Sequence, residues 1–319
     1  MSFPDPVQIK EAAVRIKGLV HRTPVLSSQN LNKIAGAEIY FKCENLQKAG
    51  AFKSRGAINA VFSLSHEEIQ RGVCAHSSGN HAAALSRAAG LRGARAYIVM
   101  PENSSTVKIE AVKHYNGIIT FCKPTLADRE ATLAQIKNET GAIEVHPYND
   151  YRIIAGQATA ALELIEEEHP FEIIMAPVGG GGLLSGTALS TRYFSPGTKV
   201  IAAEPTGADD AFRSFYGNQL FPSVNPRTIA DGLLTSLGSL TYPIILEHVQ
   251  QIVTVSEESI IRAMRLVWER MKIIIEPSSA VPFAAVLENK LDHTGKRIGI
   301  ILSGGNIDLD KLPWMNRKQ

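Results

Sequence analysis

The 319-residue chain is long enough for two domains, or for one large α/β unit carrying an insertion. With 45% apolar and 20% charged residues its composition is that of a globular protein, and a net charge of +2 gives no footing for nucleic acid or an anionic membrane surface. Three cysteines, Cys43, Cys74 and Cys122, cannot all pair and none sits in a CxxC, so neither a disulfide framework nor a zinc knuckle is expected.

The opening MSFPDPVQIKEAAVRIKG places prolines and charges where a signal peptide needs an apolar run. No stretch approaches the roughly 18 apolar residues that cross a bilayer. A cytoplasmic protein is the expectation. Ile9, Ala13 and Ile16 recur at helical spacing, and Glu38–Cys43 reads as the first strand. Further strands are predicted at 72–76, 96–100, 118–122, 142–146, 171–178, 199–203, 251–255 and 297–302. Helices are predicted at about 54–64, 80–89 and 155–168, and a later one starts at Ser256, whose hydroxyl suits an N-cap ahead of Glu257 and Glu258. This alternation argues for α/β architecture with parallel strands. No Pro-, Gly- or Ser-rich linker divides the chain, so a second domain would be an insertion, expected at 49–148 within a large domain of 1–48 and 149–319.

Four segments carry chemistry. In Gly50-Ala51-Phe52-Lys53-Ser54-Arg55-Gly56 a lysine follows an aromatic residue at a helix start. Ser77-Ser78-Gly79-Asn80-His81 follows a strand and enters a helix, where N–H groups, hydroxyls and an amide suit a carboxylate. Gly179-Gly180-Gly181-Gly182-Leu183 lets backbone wrap a phosphate in front of a helix N-terminus, and it is neither a Walker A loop nor a spaced GxGxxG. Leu302-Ser303-Gly304-Gly305-Asn306 follows the last strand.

In this order the segments resemble the fold type II pyridoxal-phosphate enzymes, and most of all their serine racemase and serine/threonine dehydratase branch. The likeness runs from Arg22-Thr23-Pro24 to Asn306 and includes Ala155-Gly156-Gln157, Ile229-Ala230-Asp231-Gly232 and Glu276-Pro277. It implies a tryptophan synthase β-like fold: two open, twisted α/β domains with pyridoxal 5′-phosphate between them, a cleft that closes on substrate, and a homodimer.

By the same resemblance Lys53 carries the cofactor, Phe52 lies against its ring, Asn80 meets the ring hydroxyl, and Gly179, Gly180, Gly181, Gly182 and Leu183 hold the phosphate. Gly232 joins the cofactor set, and Ser303 meets the pyridine nitrogen. A hydroxyl there does little to keep that nitrogen protonated, which weakens the electron sink. A small β-hydroxy amino acid would set its carboxylate in Ser77, Ser78, Asn80 and His81, with Arg129 approaching it. Lys53 and Ser78 would serve opposite faces of Cα as base and acid. Residues of 233–238 would shape the side-chain pocket.

Glu204, Ala208 and Asp210, in Glu204-Pro205-Thr206-Gly207-Ala208-Asp209-Asp210, match the metal segment of racemase-like relatives, and all-oxygen ligation of this kind suits Mg²⁺, with Ca²⁺ or Mn²⁺ as alternatives. Many relatives carry glutamine where this chain has Ala83, near the nucleotide site of animal racemases, so activation by ATP stays open. The activity implied is serine racemisation together with loss of water to give pyruvate and ammonia. A dehydratase for serine, threonine or 3-hydroxyaspartate shares the same motifs, and a binding protein that merely senses a phosphate-bearing ligand would not need Lys53, Ser78 and Ser303.

Overall fold

The computed structural model describes residues 3–77 and 79–315. Helix α1 (Pro6–Ile16) leads to β1 (Val25–Ser27), α2 (Gln29–Ala35) and β2 (Glu38–Cys43). Then come α3 (Lys53–Phe62), α4 (His66–Gln70), β3 (Val73–His76), α5 (Asn80–Leu91), β4 (Ala96–Pro101), α6 (Thr106–His114), β5 (Ile118–Cys122), α7 (Leu126–Thr140) and β6 (Ile143–Glu144). The rest alternates α8 (Tyr151–Glu168), β7 (Ile173–Pro177), α9 (Gly182–Phe194), β8 (Lys199–Pro205), α10 (Asp210–Gly217), α11 (Thr241–His248), β9 (Gln251–Val255), α12 (Glu257–Met271), α13 (Pro277–Leu287) and β10 (Arg297–Leu302).

Two sheets result, in the orders β1-β2-β10-β7-β8-β9 and β5-β4-β3-β6. Every pairing is parallel except that of the edge strand β1 with β2. Helices cover the sheets, so the central strands read as continuous apolar runs (IIMAP in β7, RIGIIL in β10) rather than alternating ones. Parallel register, with Ile300 opposite both Phe41 and Met175, sends the carboxyl ends of β2, β10 and β7 to one edge. In open α/β sheets that edge is where ligands bind. The strand expected at 142–146 is shortened to Ile143–Glu144; Val145 N–H still bonds Cys74 O, and Pro147, which has no N–H, adds nothing beyond it. The inward face of α1 is Ile9, Ala12 and Ile16, with Ala13 at its margin.

The helix that begins at Lys53 is fastened from behind by buried charges. Arg55 is fully buried and grips two carboxylates at once: Nε and Nη2 donate to Glu44, and Nη1 and Nη2 to Glu163, each at 2.7 Å. Lys42, also fully buried, donates to Glu163 at 2.8 Å and to Thr23 O at 2.7 Å. Two cations and two carboxylates thus neutralise each other. Burial alone would raise the Glu163 pKa, but the bonds and charges of Arg55 and Lys42 outweigh it and hold the group low. Close by, Gly56 and Gly156 let α3 and α8 touch backbone to backbone; a Cβ on Gly156 would stand 2.6 Å from Gly56 Cα.

Removing one member of such a cluster leaves buried charge without a partner, at a cost of about 3–5 kcal/mol. Arg55→Ala is therefore expected to lower the unfolding free energy by about that amount in urea titrations. A loss below about 1 kcal/mol would show that the cluster does not anchor α3.

Candidate active site

At the carboxyl edge of the large sheet, Phe52 and Lys53 open α3. Phe52 N–H donates to Ser303 O at 3.0 Å, which ties the lysine turn to the end of β10, and the Phe52 ring packs on the cluster containing Val178 and Leu183. Lys53 Nζ lies 5.1 Å from the Phe52 ring centroid and donates to Pro147 O at 2.7 Å. Removal from water lowers the pKa of this amine to about 8, against the opposing pull of Glu276. An amine so placed is free base in part at neutral pH.

Asn80, first residue of α5, has its amide set from both ends. Asn306 Nδ2 donates to Ala49 O at 2.8 Å, and a carbonyl only accepts, so the orientation of Asn306 is settled. The same Nδ2 donates to Asn80 Oδ1 at 2.9 Å, which turns Asn80 Nδ2 toward Glu276 Oε1 and Oε2, at 2.9 and 3.1 Å. Glu276 is buried, and its carboxyl is pushed up to about 7 by burial and by Asp231, while Asn80 pulls the other way. It is the N-cap residue of α13, yet its side chain makes no capping bond to that helix. Sequence reasoning missed Glu276 and Asn306 as site residues. A glutamate at an N-cap, where Ser, Thr, Asp or Asn is the rule, was the available signal.

The glycine loop leaves no room for side chains. A Cβ on Gly180 would come within 2.3 Å of the Tyr148 ring, and one on Gly179 within 2.9 Å of Leu233 Cα. Gly181 has φ +88° and caps α9 with no side-chain bond, so the first N–H groups of a 13-residue helix lack an intrahelical partner and face the loop. Residues of this kind fit a phosphate. Buried Leu183 sits in that first turn, and Gly232 N–H is bonded to Ser278 Oγ at 3.1 Å beside the loop. Ser303 is buried at the end of β10, 3.1 Å from the Ser279 hydroxyl.

Ser77 and Asn80 flank the turn between β3 and α5, and Gly79 N–H reaches Ser77 Oγ at 3.4 Å. Ser78 lies outside the described residues. The His81 side chain is buried: Nε2 bonds Val145 O at 2.8 Å, Nδ1 has no partner among the described residues, and burial with nearby Lys53 drives its pKa to about 3. What His81 can offer a ligand is therefore its first-turn N–H. His146 accepts from Asn149 N–H at 2.9 Å through Nδ1, and burial lowers it to about 4, so both imidazoles are neutral. Arg129 is half-buried on α7, folds back so that Nε meets Thr125 O at 3.3 Å, and depresses the His76 pKa, for which burial is the larger cause.

Glu204 and Asp210 lie at the end of β8 and the start of α10. Glu204 accepts from the N–H groups of Ala211 and Phe212, at 3.1 and 2.9 Å. Asp210 is buried with neither carboxylate oxygen bonded among the described residues. Burial pushes Glu204 up to about 9 and Asp210 up to about 6. Two desolvated carboxyls, one with both oxygens unsatisfied, form a donor set that fits a hard cation. Ala208 is buried in the turn between them. Among the described residues no group of three or more His, Cys, Asp or Glu gathers as a metal cluster, so backbone or water would have to complete the shell.

Comparison with known proteins places the chain in a family. The chain matches the family described as "Pyridoxal-phosphate dependent enzyme" over residues 16–304, and it belongs to that family. It is 49% identical over 314 residues to the β-hydroxyaspartate dehydratase of Paracoccus denitrificans (strain Pd 1222), covering 98% of this chain and 100% of that one. It is 50% identical over 308 residues to the serine racemase of Dictyostelium discoideum, covering 95% of each. The structure of maize serine racemase superposes with a TM-score of 0.95 at 43% identity, covering 97% of this chain and 95% of that one.

The depressed Lys53 pKa has a direct consequence. In cofactor-free protein, the rate at which Lys53 is acetylated, followed by peptide mass mapping, is expected to rise with pH and level off above about pH 8. A rate still climbing toward the ordinary lysine value of about 10.4 would show that the amine is not desolvated.

Proposed function

We propose that the chain is a pyridoxal-phosphate-dependent, divalent-metal-activated serine racemase that also eliminates water from serine, yielding pyruvate and ammonia. The observation that carries this reading is the meeting of Lys53, Asn80, the Gly179–Leu183 loop and Ser303 at one sheet edge, with a separate desolvated carboxylate pair at Glu204 and Asp210.

In this reading Gly179, Gly180, Gly181, Gly182 and Leu183 hold the cofactor phosphate on the N-terminus of α9, with Gly232 beside them. Phe52 would flank the ring, Asn80 would donate an N–H to the ring oxygen, and Ser303 would meet the ring nitrogen. Bound there, pyridoxal phosphate supplies an electron sink that acidifies the Cα proton of an attached amino acid. The substrate carboxylate rests on Ser77, Ser78 and the N–H groups of Asn80 and His81, and Arg129 reaches it when the inserted block, 49–148, closes on the cleft. Lys53, free base in part near neutral pH, takes the Cα proton from its face. Ser78 holds a proton for the opposite face, and delivery from that side inverts the centre. Departure of the β-hydroxyl leads instead to pyruvate and ammonia.

Glu204, Asp210 and the Ala208 carbonyl would hold Mg²⁺ or a similar hard cation. A homodimer belongs to the reading. No helix among the described residues is long and apolar enough to cross a membrane. A second reading, a 3-hydroxyaspartate dehydratase with little racemisation, is favoured by the full-length likeness to the Paracoccus enzyme.

Chiral amino-acid analysis and a 2-oxo acid assay after incubation with L-serine, with Mg²⁺ and with a chelator, separate the two. D-serine beside pyruvate, both falling on chelation and in Asp210→Asn, is the expected result. Pyruvate alone, or turnover only of 3-hydroxyaspartate, would give the assignment to the dehydratase. Activity indifferent to chelation would remove the cation from Glu204 and Asp210.

A further inference from the structure

Between α10 and α11 the chain runs from Asn218 to Leu240 with only the 3₁₀ turn Asp231–Leu233. Loops of this length inside a compact domain usually serve binding. One part of it is seated on the Glu204–Asp210 turn. Arg227 N–H donates to Gly207 O at 2.8 Å, and Phe221 N–H donates at 2.9 Å to the Ser214 hydroxyl, one turn along α10 from Asp210. The far end reaches the glycine loop. Gly238 N–H donates to Thr241 Oγ1 at 2.9 Å, that hydroxyl donates to Gly180 O at 2.9 Å, and a Cβ on Gly181 would stand 2.9 Å from the Leu237 side chain.

Two serines tie these parts together. Ser223 N–H donates to Ser236 Oγ at 2.8 Å, so the segment beside the Asp210 turn is fastened to 233–238. The Ser223 hydroxyl is buried and has no partner among the described residues, and both carboxylate oxygens of Asp210 are in the same condition. The two groups are neighbours: burial raises the Asp210 carboxyl, and the Ser223 hydroxyl beside it pulls the other way. A buried hydroxyl and a buried carboxylate that stand close without bonding are costly, and a third group that draws them together removes the cost.

We propose that Ser223 and Ser236 are positioning residues that couple the cation site to the cofactor site. A cation on Glu204 and Asp210 fixes the Asp210 carboxylate, and Ser223 donates to the oxygen that the cation leaves free. The Ser223–Ser236 bond then carries that order into 233–238, and through Gly238 and Thr241 to Gly180. The inference rests on the reading of Glu204 and Asp210 as a cation site and of Gly179–Leu183 as the phosphate loop. Without the cation the Ser223 side chain is unheld, and the loop meets Gly180 at a greater cost in chain entropy. Coupling of this kind is reciprocal: the cation tightens the hold on pyridoxal phosphate by the same factor as pyridoxal phosphate tightens the hold on the cation.

The test is a pair of binding measurements on the cofactor-free chain: pyridoxal phosphate titrated in Mg²⁺ and in chelator, followed by visible absorbance, and Mg²⁺ alone titrated by calorimetry. The wild type is expected to bind pyridoxal phosphate about tenfold more tightly in Mg²⁺. Ser236→Ala, which removes the acceptor of Ser223 N–H, should still bind each ligand alone but with the coupling reduced below about twofold, and Ser236→Thr should restore it. Ser223→Ala should lose the coupling from the other end. Mg²⁺ bound to the wild type with no change in cofactor affinity, or coupling that survives in both alanine variants, overturns the proposal alone. No Mg²⁺ binding in the wild type overturns the reading of the cation site, no cofactor band overturns the reading of the glycine loop, and either removes the proposal with it.

Discussion

The bidentate grip of buried Arg55 on Glu44 and Glu163 is the interaction on which the rest of the molecule leans. It joins the turn just after β2 to α3 and α8 at a point two residues beyond Lys53, and nothing in it faces solvent strongly enough to be screened. A buried ion cluster is not a generous source of stability, because desolvation offsets most of the attraction. What it provides is uniqueness: with four charged groups mutually satisfied, α3 has one register in which none of them is orphaned. That register sets where Phe52 and Lys53 emerge.

From that fixed start the site is assembled by hydrogen bonds with a direction. Ala49 O can only accept, which orients Asn306 and, through it, Asn80, whose N–H then meets Glu276. Gly304 fixes the Ser279 hydroxyl, which stands 3.1 Å from that of Ser303. Both chains begin at groups with no freedom to reverse and end at a side chain that faces the cleft. A site prepared in this way does not have to reorganise its dipoles when a ligand arrives, which is the physical content of preorganisation.

Much of this was legible from the order of residues. Strands such as Glu38–Cys43, Ile118–Cys122 and Gln251–Val255 stand where apolar, β-branched runs place them. The glycine loop, Lys53 and Ser303 are marked by local composition, because backbone that must approach a phosphate or a ring cannot carry ordinary side chains. Helices α2, α4, α6, α7, α10, α11 and α13 are not announced by the sequence. In α7 only Leu133 and Ile136 are buried, so no apolar stripe announces it, and α4 has only five residues. The supporting partners were illegible for another reason. Asn80 meets Glu276 across 196 positions and Asn306 across 226, and no local pattern signals a bond of that span. Asp210 is a similar case: its burial without a partner is a property of packing, not of spacing.

The account turns on one atom, Lys53 Nζ, as the point of cofactor attachment. Borohydride reduction of protein incubated with pyridoxal phosphate, followed by proteolysis and mass mapping, tests it most directly. A phosphopyridoxyl group recovered on Lys53, and absent from a Lys53→Ala chain, is the predicted result. Labelling of another lysine, or none at all, would contradict the account.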